Sequence, residues 1–406
     1  MIADFQTNKV YFSSLIKSGK YETFWKDLQR ILVKHKIQPA FIEGTRDIWC
    51  RDYMPVQIDT FNYSQFKYFP DYCVRHEYIK WLTIQEEMLY ELPRVTLIRP
   101  VDLIVDGGNV VKYGNKAIMT EKVFKENENR EKESVVRILK NSLRVDELYF
   151  IPVQPFDYTG HADGMVRFYD ENTLIVNDFR KETDTWKRKF EKAIKQTGLK
   201  PIEFPYAPSD KKVNGEYTAN GCYINYAQIG NVIIFPKFSI NEDGLALQKM
   251  KELYPEPRYH IETINCTSIA NEGGVLNCMT WNIYKQILSK AIEDLVPVYG
   301  DEKRMLVIYK EDSVLKLKDK ICVPISLSSS EIGEPWSLEK HLKHGHAIEP
   351  ISTDEEIKTA KGLLSDNLST EQLSDVLDSL LHPPERTIEE LLEVPPRLIR
   401  MRKTGN

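Results

Sequence analysis

Along the first ~285 residues the spacing of apolar positions switches between a helical and a strand-like period, in one recurring order. An amphipathic helix leads into a short apolar strand, then a polar loop, then a two-stranded hairpin. "ETFWKDLQRILVKHK" (22–36) sets Phe24, Leu28, Ile31 and Leu32 on one helical face, and the strand "PAFIE" and loop "GTRDIWCRD" follow. The spacing predicts a second helix over 75–92, followed by "RVTLIRP" and the loop "VDGGN". A third is predicted over 121–143, followed by "ELYFIPV" and "DYTGHADG". The fourth (184–198) precedes "KPIEFPY" and a long loop ending in "YTANGCYIN"; the fifth (241–255) precedes "RYHIETI" and a loop ending in "NEGGVLNCMTW". Turn chemistry marks three hairpins, at Gly114-Asn115, Asp170 to Asn172 and Gly230-Asn231. The first hairpin, around Phe61 to Ser64, is marked less sharply.

The pattern predicts an α/β fold in which five similar units close into a ring around a pseudo-axis, with their five loops at one mouth. "CMTWNIY" (278–284) would pair with the N-terminal "KVYF" (9–12) and so join chain start to domain end. An ordinary open α/β sheet is the alternative, and it has no need of so regular a period. The expected organisation is a catalytic domain over 1–290, a mixed extension over 291–327, and a mainly helical C-terminal module over 328–406 that opens on the linker "SSSEIGEPWS". Capping-box patterns at Ser369 to Gln372 and Thr387 to Glu390 start short amphipathic helices there. Those helices and the basic end are candidates for docking a protein partner or a second copy, or for a solvated appendage.

Composition narrows the class. The 406 residues are 42% apolar and 28% charged with a net charge of −5, the balance of a soluble globular protein and no basis for nucleic-acid binding. The N-terminus lacks a signal-peptide core, and no apolar run approaches the ~18 residues of a membrane span. Six scattered cysteines (50, 73, 222, 266, 278 and 322) show no paired spacing, so free thiols in a reducing cytoplasm are expected and the sequon "NCT" carries no meaning.

Each of the five loops carries a polar or reactive residue: Asp52 after Trp49, Asp106, His161 with Asp163, Asn225, and Cys278. From Asp52 to Asp106, His161, Asn225 and Cys278 the steps are 54, 55, 64 and 53 residues, which would bring one group per unit to a single pocket. Taken singly, each has an ordinary reading as a turn, a cap or a core thiol. Jointly, a thiol, a histidine, an asparagine and three carboxylates suit a planar cation. Carboxylates would oppose the oxyanion of a protease-like acyl transfer, and one histidine with scattered acids is a thin metal site. A guanidinium pairs bidentately with carboxylates, and its charge favours a nearby thiolate. The combination reads as guanidine hydrolysis.

Six segments, "RDIWCRDYMPV" (46–56), "VDGGNVV" (105–111), "IMTEKVFKENENR" (118–130), "GHADGMVRF" (160–168), "CYINYAQIGNVIIFPKF" (222–238) and "EGGVLNCMTW" (272–281), occur in the order of a known family. The chain resembles the agmatine deiminases and bacterial peptidylarginine deiminases of the guanidine-modifying pentein superfamily. That resemblance implies a five-bladed propeller with Cys278 as nucleophile, His161 as general acid and base, and Asp52 and Asp163 clasping the guanidinium. It further implies Asp106 orienting the histidine, Asn225 in the active site, Trp49 along the substrate, and no metal or organic cofactor. Three positions depart from the pattern. Asn277 stands where agmatine deiminases usually have histidine, Asp106 where they have glutamate, and "RDYMP" replaces "RDTGP". With Asp106 one methylene short, its histidine contact is expected to be rebuilt or bridged by water. The expected substrate is a small guanidino compound, agmatine first, giving N-carbamoylputrescine and ammonia. An arginine side chain of a peptide, giving citrulline, is the alternative. Amidino transfer to an amine and a non-catalytic interaction scaffold are further readings. Arg51 and Arg167 adjoin the motifs, the latter expected to be structural.

Overall fold

The computed structural model describes residues 1–75, 78–92, 96–155, 157–213, 215–285, 305–311 and 314–321. The expectations for the linker and the C-terminal helices lie outside the described residues. One compact unit comprises Met1–Asp59, Tyr63–Leu89 and Pro100–Tyr284. The described part of a second unit holds Thr60–Asn62, parts of Tyr90–Arg99, Lys285, and an antiparallel hairpin of Met305–Glu311 with Val314–Ile321.

Among the described residues are five three-stranded sheets. In chain order the strands are β1 (Lys9–Ser13), β2 (Ala40–Ile42), β3 (Val56–Gln57), β4 (Asn62–Lys67), β5 (Leu97–Ile104), β6 (Val111–Tyr113), β7 (Lys116–Thr120) and β8 (Glu147–Ile151). They continue as β9 (Val166–Phe168), β10 (Thr173–Asn177), β11 (Lys200–Phe204), a short pair β12 (Lys212–Val213) and β13 (Glu216–Tyr217), β14 (Ala227–Ile229), β15 (Val232–Lys237), β16 (His260–Asn265) and β17 (Trp281–Ile283). The sheet orders are β17-β1-β2, β3-β4-β5, β6-β7-β8, β11-β10-β9 and β14-β15-β16. Four central strands, β1, β7, β10 and β15, each pair antiparallel with a hairpin neighbour on one side. On the other side each pairs parallel with the strand reached through a helix. In the first sheet the hairpin neighbour comes from the far end of the unit, with Lys9 opposite Ile283 and Tyr11 opposite Trp281, as the apolar pattern predicted.

Helices pack where the 3.6-residue period places an apolar stripe. α1 (Glu22–Lys34) buries Phe24, Trp25, Leu28 and Leu32 in a core shared with Phe12, Tyr223 and Phe235. α6 (Asp184–Gln196), capped by the Thr183 hydroxyl, buries Trp186, Phe190 and Ile194 beside Leu174 and Val176. Each such side chain withdrawn from water contributes about 1.5–3 kcal/mol before conformational entropy is counted. α7 (Glu242–Leu253) also forms as predicted.

Three expectations need correction. Among the described residues of 75–92 no α-helix continues past Arg75: α3 (Asp71–Arg75) is short, and 3-10 turns cover Tyr78–Trp81 and Gln85–Glu87. Tertiary hydrogen bonds override the period there. The buried Thr83 hydroxyl donates to Asp47 Oδ2 at 2.7 Å, and Gln85 Nε2 donates to the carbonyls of Tyr53 and Phe66, both at 2.9 Å. Ile79 and Trp81, apolar in the pattern, are 50% and 60% exposed. The helix predicted over 121–143 is two, α4 (Lys122–Glu126) and α5 (Lys132–Leu143). They are divided at Asn127, whose side chain bonds both the N–H and the C=O of Ile104. The first hairpin turns before Asn62, so Asn62 to Ser64 lie within β4 rather than in the turn.

Candidate active site

Every residue singled out for chemistry sits between the third strand of one sheet and the first of the next. Asp52 lies in α2 (Cys50–Tyr53), between β2 and β3, and Asp106 follows β5 directly. His161 and Asp163 stand between β8 and β9, and Asn225 stands just before β14. Cys278 stands between α8 (Thr267–Ala270) and β17. Two glycines let these loops close on one another. A Cβ on Gly107 would meet the Arg51 carbonyl oxygen at 1.9 Å. A Cβ on Gly108 would meet Asp52 Oδ1 at 2.6 Å, His161 Nδ1 at 2.7 Å and Asp163 Oδ1 at 3.4 Å. The bare face of Gly108 is therefore where two carboxylates and an imidazole converge.

The contacts gather the six polar residues into two groups, Cys278 with Asn225 and Asp163, and Asp52 with His161 and Asp106. The Cys278 thiol lies 3.3 Å from Asn225 Oδ1 and 3.7 Å from Asp163 Oδ2. Asn225 Oδ1 also accepts from the backbone N–H groups of Asn277 (3.1 Å) and Cys278 (3.3 Å), and its Nδ2 donates to the Asp163 carbonyl at 3.3 Å. It ties the loop of Cys278 to that of His161. Asp52 Oδ1 accepts from Gly108 N–H at 2.9 Å and lies 3.5 Å from His161 Nδ1. His161 Nε2 meets Asp106 Oδ2 directly at 2.8 Å, so the shorter acid needs no bridging water. Its Nδ1 has no hydrogen-bond partner among the described residues and faces the Gly108 side. Trp49 packs on Gly274, where a Cβ would lie 2.5 Å from the indole; its backbone N–H is held by Asp47 Oδ1 at 2.8 Å.

Burial and mutual charge set the protonation states. Burial raises the Asp52 carboxyl, the His161 cation lowers it, and the Asp106 and Asp163 anions raise it again, to about 7. Burial likewise raises Asp163, against the pull of His161 and Asn277. Asp106 is buried too, but Lys122 and His161 outweigh that and bring it down to about 2. Burial opposes an imidazolium at His161, yet the Asp52 and Asp106 carboxylates prevail and lift it to about 9. Burial, then the Asp163 and Asp52 anions, push the Cys278 thiol well above its ordinary value. The site therefore holds a protonated thiol beside acids, and a positive charge placed among them would favour the thiolate.

A cleft of about 270 Å³ opens on this cluster, lined by Cys278, Asp163, Gly273 and Gly274 together with Tyr158 and Tyr206. Further out it carries Asp157, Glu182, Asp210 and one lysine, Lys181; no arginine is among the described residues lining it. The two arginines beside the motifs are engaged elsewhere. Arg51 donates to the Asn277 side-chain oxygen at 3.0 Å and to its carbonyl at 3.3 Å. Arg167 is buried on the Tyr226 ring and carbonyl and on Asp4.

Two residues near the cluster were not candidates from the sequence. Asn277 Nδ2 donates to Asp163 Oδ2 at 2.7 Å, so the side chain that departs from the family pattern grips the carboxylate beside the thiol. Lys122 pairs with Asp106 Oδ2 from behind. Position 277 stands out as a departure; Lys122 lies in the segment 118–130 that carries the resemblance, but its i,i+4 spacing to Glu126 reads as an ordinary solvated pair.

No described helix is long and apolar enough to cross a membrane. The chain resembles solved structures of the pentein fold at low identity. Agmatine deiminase of C. jejuni superposes with a TM-score of 0.54 at 16% identity, covering 70% of this chain and 96% of that one. Agmatine deiminase of Enterococcus faecalis does so at 0.54 and 14%, covering 71% and 96%. Among sequence relatives, a provisionally named agmatine deiminase of Shewanella baltica is 26% identical over 212 residues, 45% of this chain and 56% of that protein. One of Listeria monocytogenes is 22% identical over 228 residues, 48% and 62% of the two chains. The chain thus spans about half the length of the curated relatives it matches. The profile of the Porphyromonas-type peptidyl-arginine deiminases matches residues 6–283, and the chain belongs to that family.

Proposed function

We propose that this protein is a cysteine-dependent hydrolase of guanidino compounds, with its catalytic domain over 1–290 and the five sheets acting as blades of a propeller that carries the site on its loops. One observation carries the reading: a thiol 3.7 Å from one carboxylate, in a cluster where a second carboxylate and an imidazole share the face of Gly108. Asp52 and Asp163 clasp the guanidinium nitrogens, and the buried charge pair holds the cation more firmly than water does. The cation neutralises the acids that keep Cys278 protonated; the thiol then gives its proton to solvent water in the cleft, where ammonia later takes it up as ammonium, and the thiolate attacks the central carbon. The C–N bond breaks as imidazolium His161 protonates the leaving ammonia, and a thiouronium remains on Cys278. Neutral His161 then takes a proton from water as it adds to that carbon. The C–S bond breaks, the thiol is restored and the ureido product departs.

Agmatine is the first choice of substrate. Its distal ammonium suits a cleft bearing Asp157, Glu182 and Asp210 against a single Lys181, whereas the carboxylate of free arginine finds no arginine there. An arginine side chain of a peptide is the second reading, supported by the family profile. The test is product analysis for agmatine, free arginine and arginine-ended peptides. Ureido product with equimolar ammonia from agmatine supports the first reading, and citrulline only in peptides supports the second. Absence of ureido product from all three refutes both.

A further inference from the structure

Lys122 opens α4 and is buried, an unusual place for an ammonium, and what surrounds it accounts for the burial. Its Nζ donates to Asp106 Oδ2, the same oxygen that meets His161 Nε2, and lies 2.8 Å from Glu126 Oε1 and 3.8 Å from Asp71 Oδ1. The ammonium sits 5.0 Å from the centre of the Tyr72 ring, and that ring stands edge-on to His161 with centroids 6.0 Å apart. The other Asp106 oxygen has no hydrogen-bond partner among the described residues, so Lys122 and His161 together hold the carboxylate in place.

We propose that Lys122 is a positioning residue of the reaction: it aims Asp106 Oδ2 at His161 Nε2 and thereby leaves Nδ1 as the ring atom that exchanges protons at the Gly108 face. This inference rests on the guanidine-hydrolase reading. A proton kept on Nε2 by Asp106 fixes the neutral tautomer with its lone pair on Nδ1, the atom 3.5 Å from Asp52. Lys122 also opposes the imidazolium that Asp52 and Asp106 favour, so His161 does not hold its proton too tightly to pass it on. The lysine takes up the task that a longer acid would otherwise do alone: with one methylene fewer, Asp106 needs a second anchor to keep its direction.

The experiment compares Lys122→Met, Lys122→Arg and the double variant Lys122→Met/Glu126→Gln in the full chain. It reads kcat and KM for agmatine across pH, and the His161 titration by NMR without substrate. The double variant also removes the acid that the single one leaves buried without its counter-ion, so a folding defect in Lys122→Met does not end the test. Both Met variants are expected to lose about tenfold to a hundredfold in kcat, part of the ~10²–10⁴ that general acid–base catalysis contributes, with KM within about twofold. With a like charge gone, the His161–Asp106 pair binds its proton more tightly, and the His161 titration moves up by about one pH unit or more. Lys122→Arg keeps the charge and should restore the titration and part of the kcat. A folded Met variant with wild-type kcat, or with an unmoved His161 titration, overturns the proposal. If the wild type turns over no guanidino compound, the hydrolase reading fails on its own; the titration still decides whether Lys122 governs the pair.

Discussion

Gly108→Ala isolates the face on which the chemistry depends. The added methyl carbon would sit 2.6 Å from Asp52 Oδ1 and 2.7 Å from His161 Nδ1. Against an ordinary carbon–oxygen contact of about 3.3 Å, the carboxylate must retreat by roughly 0.7 Å, and the imidazole by a similar distance. Productive constellations tolerate about 0.5 Å, and a misplacement of about 1 Å lowers rates by ~10²-fold. kcat/KM should therefore fall by about a hundredfold, equivalent to about 2.7 kcal/mol of transition-state stabilisation. The glycine φ is not in the left-handed region, so the backbone accepts alanine and the cost to stability is that of mild overpacking, about 1–2 kcal/mol. The assay is ammonia and ureido-product formation from agmatine beside a thermal melt. Gly107→Ala serves as contrast: its Cβ meets the Arg51 carbonyl at 1.9 Å, backbone that cannot rotate away, so activity there is lost through unfolding. A Gly108→Ala protein with a native melt and wild-type kcat/KM refutes the idea that Asp52 and His161 face the reacting carbon.

Three further outcomes follow from the same geometry. The pH profile of kcat/KM should be a bell. Below about 7 the Asp52 carboxylate, raised chiefly by burial, takes a proton and loses its grip on the cation; above about 9 His161, lifted by Asp52 and Asp106 against its burial, loses the proton that ammonia needs. A profile still rising at pH 10 contradicts that assignment of His161. Asp163→Asn removes the carboxylate 3.7 Å from the thiol, so KM for agmatine should rise at least tenfold while kcat also falls; an unchanged KM removes Asp163 from the clasp. Arg51→Lys loses the two-pronged grip on Asn277, which in turn holds Asp163, and kcat/KM should drop about tenfold without loss of fold; parity with wild type shows that Asn277 needs no such support.

Much of this arrangement is written in local patterns. The helices at 22–34 and 184–196 carry their apolar stripes in the sequence, and Gly114-Asn115 and Gly230-Asn231 announce their turns. The steps between polar loop residues point to convergence because each unit has the same build. What the sequence conceals is whatever depends on a partner far along the chain. Thr83 and Gln85 read as helix surface until Asp47, Tyr53 and Phe66 claim their hydrogen bonds. Lys122 reads as half of a solvated pair with Glu126 until burial turns it toward Asp106, 16 residues back. Asn277 stands out as a departure, but its bridge between Arg51 and Asp163 spans 114 residues on one side and 226 on the other. The direct contact between Asp106 and His161 is one of the two outcomes the missing methylene allows, and the sequence does not separate it from a bridging water because it depends on how closely two loops 55 residues apart approach each other.

The most direct measurement is an acid quench of the enzyme turning over agmatine or an arginine-ended peptide, followed by peptide mass spectrometry. The account predicts a substrate-derived adduct on the peptide containing Cys278, formed and cleared on the timescale of ammonia release, and neither adduct nor ammonia with Cys278→Ala. Ammonia released at the wild-type rate by Cys278→Ala, or an adduct on another residue instead, would contradict it.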